Sequence, residues 1–135
     1  MEITVETTIN APIGRVWACW TTPADIAQWN AASDDWHTTA ATVDLRVGGA
    51  FSSRMEAKDG SVGFDFAGKY TLVDAPAWLE ASFGDRKMRI TFQSTPKGTH
   101  VRETFDAETE HPEDLQRAGW QAILDSFRRH VEAKG

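Results

Sequence analysis

Hydrophobic and polar residues follow two periods along the chain, and the longest helical pattern lies near the C-terminus, over residues 111–134. Pro112 stands where a first helical residue is expected, because the N–H group that proline lacks is not needed there. Roughly 22 residues at about 1.5 Å each give a helix of about 33 Å, enough to cross a small domain. Apolar side chains recur at the spacing of one helical stripe, which an upstream sheet must cover. The stripe consists of Trp120, Ile123, Leu124, Phe127 and Val131.

Upstream of this helix, apolar and polar residues alternate with a period of two, which is typical of strands with one buried face. The first such strand is predicted over residues 2–10. Turn-forming pairs such as Gly48-Gly49 and Asp59-Gly60 separate the later segments. The pattern predicts six further strands, over residues 42–47, 50–58, 63–73, 78–83, 88–94 and 99–106.

Two short helices are predicted between the first strand and the other six. Residues 13–21 place Ile13, Val16, Trp17 and Trp20 on one face. A second short helix begins at Pro23 and ends near Trp29. Residues 30–39 show no clear period, so we predict a loop there.

The order of these elements predicts an α+β fold. Strands that follow each other through hairpins form an antiparallel sheet, and the natural twist of so many strands curls it. A curled sheet around one long helix buries one face of each. We therefore expect a cavity where the sheet and the helix do not quite meet.

Composition narrows the class of protein further. The 135 residues are expected to form one domain, over residues 1–135, with 41% hydrophobic residues. The net charge of −6 argues against a nucleic-acid or anionic-membrane partner. No signal peptide or membrane-spanning run is visible, and the single cysteine, Cys19, suits a reducing compartment, so a cytoplasmic protein is expected. Six tryptophans are an unusual number, and large rings can line a pocket as well as fill a core.

The order of elements is similar to the helix-grip fold of the START and birch-pollen-allergen superfamily. Within it, several runs of residues resemble the activators of heat-shock-protein ATPase and their homologues, and the resemblance covers nearly the whole chain. These runs are Asn10-Ala11-Pro12, Trp29-Asn30, Ser33-Asp34-Asp35-Trp36-His37, Asp44-Leu45-Arg46-Val47-Gly48-Gly49, Arg54-Met55-Glu56-Ala57-Lys58-Asp59-Gly60, Gly63-Phe64-Asp65-Phe66, Thr104-Phe105-Asp106 and Gly119-Trp120-Gln121.

The resemblance implies a helix-grip fold, but it does not select one activity. The superfamily includes lipid carriers, aromatic polyketide cyclases and hormone receptors, and a fold does not fix a function. The eukaryotic co-chaperones of the subfamily carry an additional N-terminal domain that grips the chaperone. The present sequence does not include such a segment, so contact with a chaperone is not expected.

Arg54 and Glu56 share the face of their predicted strand that lies opposite Met55. Two charges spaced in this way can anchor the polar group of a ligand inside a cavity. The same alternation fits an ordinary solvent-facing surface equally well, so both interpretations stay open.

Glu103 shares a face with Val101 and Phe105, so alternation points its side chain inward. A buried carboxylate needs a partner or a proton, and its pKa rises if it has no partner. Glu103 is therefore a candidate general acid or base. The alternatives are a salt bridge to Arg89 or Arg102, or a strand bulge that turns Glu103 outward.

Trp36 lies in the predicted polar loop, and a tryptophan in such a loop often closes the mouth of a pocket. His37 stands beside Asp34 and Asp35, which suggests a metal or acid–base site. The four histidines nevertheless show no ligand spacing, so neither a metal nor a cofactor is expected.

Two hypotheses from different classes follow. The first, which we favour because no motif demands catalysis, is a protein that binds a small hydrophobic or amphipathic ligand between the long helix and the sheet. The second is an enzyme of cyclase or hydrolase type in the same cavity, with Glu103 or Glu56 as general base and Arg54 polarising a carbonyl. A chaperone-contacting module is a lesser third hypothesis, and whether the chain forms a homodimer stays open. The residues expected to bind the ligand are Trp36, Arg54, Met55, Glu56, Phe66, Glu103, Trp120, Leu124 and Phe127.

Overall fold

A computed structural model of the chain describes residues 1–134 and contains seven strands and three helices in that range. The order matches the predicted α+β arrangement, with two short helices after the first strand and one long helix at the end. The elements are β1 (Glu2–Ile9), α1 (Ile13–Thr21), α2 (Pro23–Trp29), β2 (Trp36–Val43), β3 (Ala50–Ala57), β4 (Gly63–Asp74), β5 (Trp78–Phe83), β6 (Arg86–Thr95), β7 (Gly98–Asp106) and α3 (Glu113–Ala133).

All seven strands belong to one antiparallel sheet with the order β1-β7-β6-β5-β4-β3-β2. Each strand from β2 to β7 pairs with the next one along the chain, as the hairpin turns predict. The first strand instead pairs with the last, with Val5 opposite Glu103. The sheet curls into a half-barrel, which confirms the predicted helix-grip fold.

The long helix α3 lies along the concave side of this half-barrel and packs closely against β1. Leu124, Phe127 and Val131 on its apolar stripe are completely buried, as the helical spacing predicts. The Phe127 ring meets the rings of Trp20 and Trp29 edge to face, each with a centroid distance of 4.8 Å. The two short helices and α3 thus share one aromatic core.

The predicted loop over residues 30–39 is wrong in its last part, because β2 already begins at Trp36. This edge strand pairs with β3 from Trp36 opposite Ala57 to Val43 opposite Phe51. A β-bulge between Thr38 and Ala40 shifts the register and interrupts the alternation of buried and exposed side chains, so the pattern does not show the strand. The strand also ends at Val43, so residues 44–47 belong to the connection between β2 and β3 instead of the predicted strand.

The segment before α3 is held by Gln116, which lies in the first turns of the helix and is buried. Its side-chain amide donates to the backbone oxygens of Glu108 and His111, at 3.1 and 2.9 Å. Its side-chain oxygen accepts from the Glu108 backbone N–H at 2.9 Å. Gln116 therefore fixes the connection between β7 and α3. None of the described helices is long and apolar enough to cross a membrane.

Candidate ligand cavity

A cavity of about 270 Å³ lies between the concave face of the sheet and the helices α2 and α3, as the fold predicts. Its wall is mostly apolar, and aromatic rings supply much of it. The lining residues are Trp20, Ile26, Trp29, Asn30, Thr42, Val43, Phe51, Ser53, Met55, Phe64, Phe66, Tyr70, Leu79, Ala81, Arg86, Met88, Ile90, Glu103, Trp120 and Ile123.

The aromatic part of the wall is held by ring contacts among neighbouring strands and α3. Phe66 lies at the centre, with ring centroids 5.8 Å from Phe51, 5.4 Å from Phe83 and 6.1 Å from Trp120. Trp120 in turn stacks on Phe105 with a centroid distance of 3.8 Å and an interplanar angle of 9°. Because each ring touches others, the wall is expected to keep its shape when the cavity is empty.

Glu103 lies in this wall with only 5% of its surface exposed. Val5 on β1 and Ile90 on β6 are its cross-strand neighbours, and both are buried. Its carboxyl group makes no hydrogen bond or ion pair with the described residues. Burial raises the pKa of Glu103 to about 8. The inward orientation predicted from alternation is therefore correct, and the suggested salt bridges to Arg89 or Arg102 do not form.

Arg86 is the other charged residue among those that line the cavity within residues 1–134. Its Nε donates to the backbone oxygen of Asp106 at 2.9 Å. The guanidinium carbon lies 4.6 Å from the centroid of the Phe83 ring, in a cation–π arrangement. These contacts hold Arg86 at the end of β6, away from the position of Glu103 on β7.

Of the residues predicted to bind a ligand, Met55, Phe66, Glu103 and Trp120 line the cavity. Leu124 and Phe127 were expected there too, but the structure places both in the core, where each is fully buried. The reason is that the apolar stripe of α3 is longer than the cavity. Its C-terminal part packs directly on the short helices, and only the part near Trp120 faces open space.

Arg54 and Glu56 are not part of the cavity, so the solvent-facing interpretation of these two residues is correct. They lie on the convex face of β3, because Met55 between them points inward. The Arg54 Nε donates to Glu56 Oε2 at 3.1 Å, and its Nη1 lies 3.6 Å from Asp65 Oδ1 on β4. The roles proposed for Arg54 and Glu56 in ligand orientation and catalysis therefore lack a geometric basis.

Trp36 lies beside the cavity but does not line it. Its ring is 5.9 Å from that of Phe64, which does line the cavity and is 48% exposed. On its other side, Trp36 borders a second, polar hollow of about 180 Å³ together with His37, Lys58 and Arg129. Trp36 thus supports a residue at the cavity's open side and is not itself part of the wall.

Sequence reasoning missed several residues of the wall. Arg86 has the same parity as Met88 and Ile90, so extending the predicted strand by two residues would have pointed it inward. Trp20 and Trp29 face the cavity from the short helices, where their ring centroids lie 5.0 Å apart. No local pattern could separate these two tryptophans from ordinary core residues, because residues of the cavity wall also pack in the hydrophobic core and show the same apolar spacing.

A second titratable cluster joins the three helices away from the cavity. Asp25 Oδ1 accepts from His130 Nε2 at 2.8 Å and from Lys134 Nζ at 2.7 Å. The Cys19 sulfur, a carboxylate oxygen of Asp25 and a ring nitrogen of His130 lie within 4.8 Å of one another. The sequence spacing of these three residues did not reveal that they are close together. Burial would raise the pKa of Asp25, but the hydrogen bonds from Lys134 and His130 outweigh this and lower it. The Asp25 carboxylate is thus paired with the Lys134 ammonium group and hydrogen-bonded to His130.

A half-barrel sheet that grips one long helix around an internal cavity defines the class of START-like helix-grip proteins. Within this class, the family model for "Activator of Hsp90 ATPase homolog 1-like protein" matches residues 10–132. The chain belongs to this family.

Solved structures agree with this assignment. An AHSA1-like protein from Aeromonas hydrophila is 54% identical, with a TM-score of 0.94 over 100% of this chain and 94% of its own. A protein from Cytophaga hutchinsonii is 47% identical, with a TM-score of 0.84 over 98% of this chain and 93% of its own. A protein from Nitrosomonas europaea shares the fold with a TM-score of 0.87 at 19% identity, over 100% of this chain and 96% of its own. No curated protein matches the chain.

Proposed function

We propose that the protein binds a small apolar or amphipathic molecule in the cavity between α3 and the sheet. The observation that carries this proposal is the open space of about 270 Å³ inside a domain whose interior would otherwise be close-packed. Ligand pockets commonly measure roughly 300–1,000 Å³ and combine an apolar wall with a few polar groups. At about 270 Å³ this cavity is slightly smaller than that range, and its wall has the same mostly apolar character.

In the proposed complex, Met55, Phe66 and Trp120 supply apolar contact and Glu103 orients the ligand. The rings of Phe66 and Trp120 meet at nearly a right angle, 86°, so together they form a corner suited to a flat or branched apolar group. Glu103 is the acidic residue on the β7 part of the wall.

The test is the binding of N-phenylnaphthylamine, an uncharged probe that fluoresces in apolar surroundings. Ala81 on β5 lines the cavity, and the next residue, Ser82, points to the opposite face. We expect Ala81→Leu to fill part of the cavity and weaken probe binding several-fold, whereas Ser82→Leu, the matched control, leaves binding unchanged. Circular dichroism verifies that both variants are folded. Equal binding by the two variants, or no binding by the unmodified protein, would contradict the proposal.

A second candidate function is catalysis in the same cavity, and the state of Glu103 favours it. A carboxyl group with a pKa near 8 inside a cavity is suited to exchange protons at neutral pH. In this alternative Glu103 is the general base, and the previously suggested Glu56 and Arg54 take no part because they lie outside the cavity.

The two candidates differ in what happens to the bound molecule. A binding protein returns its ligand unchanged, whereas an enzyme of cyclase or hydrolase type converts it. Mass spectrometry of small molecules extracted from the purified protein, before and after incubation, distinguishes these outcomes. Conversion that stops in a folded Glu103→Gln variant would establish the enzyme, and recovery of unchanged ligand from both proteins would remove it.

A further inference from the structure

Glu103 is a buried acid that the protein itself leaves without a partner. Its neighbours across the sheet, Val5 and Ile90, are apolar, and no described side chain donates a hydrogen bond to its carboxyl group. Buried polar groups in folded proteins are almost always hydrogen-bonded. Because Glu103 lines the cavity, the space in front of it is the place from which a partner can come.

The groups that face Glu103 from the surrounding elements do not supply this partner. Among the described lining residues, the other titratable side chains are Arg86 on β6 and Tyr70 on β4. Arg86 is held at the end of its strand by the Asp106 carbonyl and the Phe83 ring. The helix α3 contributes Trp120 and Ile123 to the wall, and α2 contributes Ile26 and Trp29, none of which carries a charge.

We propose that the ligand is an apolar amine, whose nitrogen donates a hydrogen bond to the carboxyl group of Glu103 while its hydrocarbon part occupies the ring-lined space. This inference rests on the proposed ligand-binding function and names the class of ligand. A charged donor fits best, because hydrogen bonds between ionised groups are the strongest in proteins. A carboxylic acid fits worst, because it places a second acid beside a buried carboxyl group.

The protonation state of Glu103 adds a second signature. With a pKa of about 8, the carboxyl group of the empty protein is largely protonated at neutral pH. A bound ammonium group favours the ionised carboxylate, so binding should release a proton. A neutral alcohol has no such effect. Tyr70 does not contribute to this release at pH 7, because burial raises the pKa of its phenol to about 12.

The experiment compares three compounds that share one ring system: naphthylmethylamine, naphthylmethanol and naphthoate. Their dissociation constants are measured by displacement of N-phenylnaphthylamine and by calorimetry in two buffers of different ionisation enthalpy. We expect the amine to bind at least about tenfold more tightly than the alcohol, with naphthoate the weakest. We also expect net proton release with the amine only.

Glu103→Gln is the decisive variant, and Glu56→Gln, which changes an acid on the convex face, is its matched control. The preference for the amine and the proton release should disappear in Glu103→Gln and persist in Glu56→Gln. Equal binding of the three compounds, or tightest binding of naphthoate with loss in Arg86→Gln, would overturn the amine proposal while the cavity's binding function stands. If neither probe nor compound binds, both proposals fail.

Discussion

The unpaired Glu103 should make the ligand-free protein less stable as the pH rises. Well below pH 4.5 the carboxyl group is protonated in both the folded and the unfolded chain, so its ionisation does not change the free energy of unfolding. The folded pKa of about 8 lies above the ordinary value of 4.5, so stability falls between these two pH values and then levels off. At about 1.4 kcal/mol for each pH unit between the two values, the full loss is roughly 5 kcal/mol.

The assay is urea unfolding of the unmodified protein and of Glu103→Gln at several pH values from 4 to 9, with the free energy of unfolding taken from each curve. The glutamine cannot ionise, so the variant should gain stability relative to the parent across this range, up to several kcal/mol. Glu110→Gln, at an exposed position before α3, serves as the control for removal of a surface acid. A difference between Glu103→Gln and the parent that stays constant from pH 4.5 to 8.5 would refute this reasoning.

Four further substitutions test contacts that hold the fold together. Asp25→Asn should lower the free energy of unfolding in urea at pH 7 by about 2 kcal/mol, because it weakens the hydrogen bonds from His130 and from the half-exposed Lys134. Because the pKa of Asp25 is lowered, this loss should shrink as the pH falls below 4. An equal loss at pH 7 and below pH 4 would contradict this role. Gly68→Ala should destabilise the protein by at least about 3 kcal/mol, because the new Cβ would lie 2.1 Å from the Ser82 carbonyl oxygen. Gly119→Ala, with open space around it, should stabilise the protein by about 0.5–1 kcal/mol. Equal changes in the melting temperature of the two variants would contradict both predictions. Gln116→Leu should lower stability by roughly 2 kcal/mol through loss of its three hydrogen bonds, and an unchanged unfolding midpoint would contradict this role.

Much of the fold could be predicted because the alternating and helical patterns are strong and consistent. The bounds of the two short helices were correct, since each begins beside a proline and the first has a clear apolar face. The pattern failed at β2, where the bulge between Thr38 and Ala40 breaks the alternation. Such a shift depends on the partner strand, and one strand's sequence does not contain that information.

The site was harder to predict than the fold, for a related reason. Alternation correctly assigned Glu103 to the inner face, but it could not decide which faces meet open space and which meet close-packed side chains. Leu124 and Phe127 have the same helical spacing as Trp120, yet they are in the solid part of the core. Where a cavity begins and ends depends on how far α3 stands from each strand, a distance that no single segment sets.

The pairing of β1 with β7 brings together parts of the chain that are far apart in sequence. The run from β2 to β7 consists of local hairpins, so it can assemble early, whereas closing the distance between β1 and β7 comes at a higher entropic cost. We therefore expect amide hydrogens of β1 and α3 to exchange with deuterium sooner than those of β5 and β6. Transient release of β1 and α3 would expose one side of the cavity. A ligand could then enter while the other six strands stay folded.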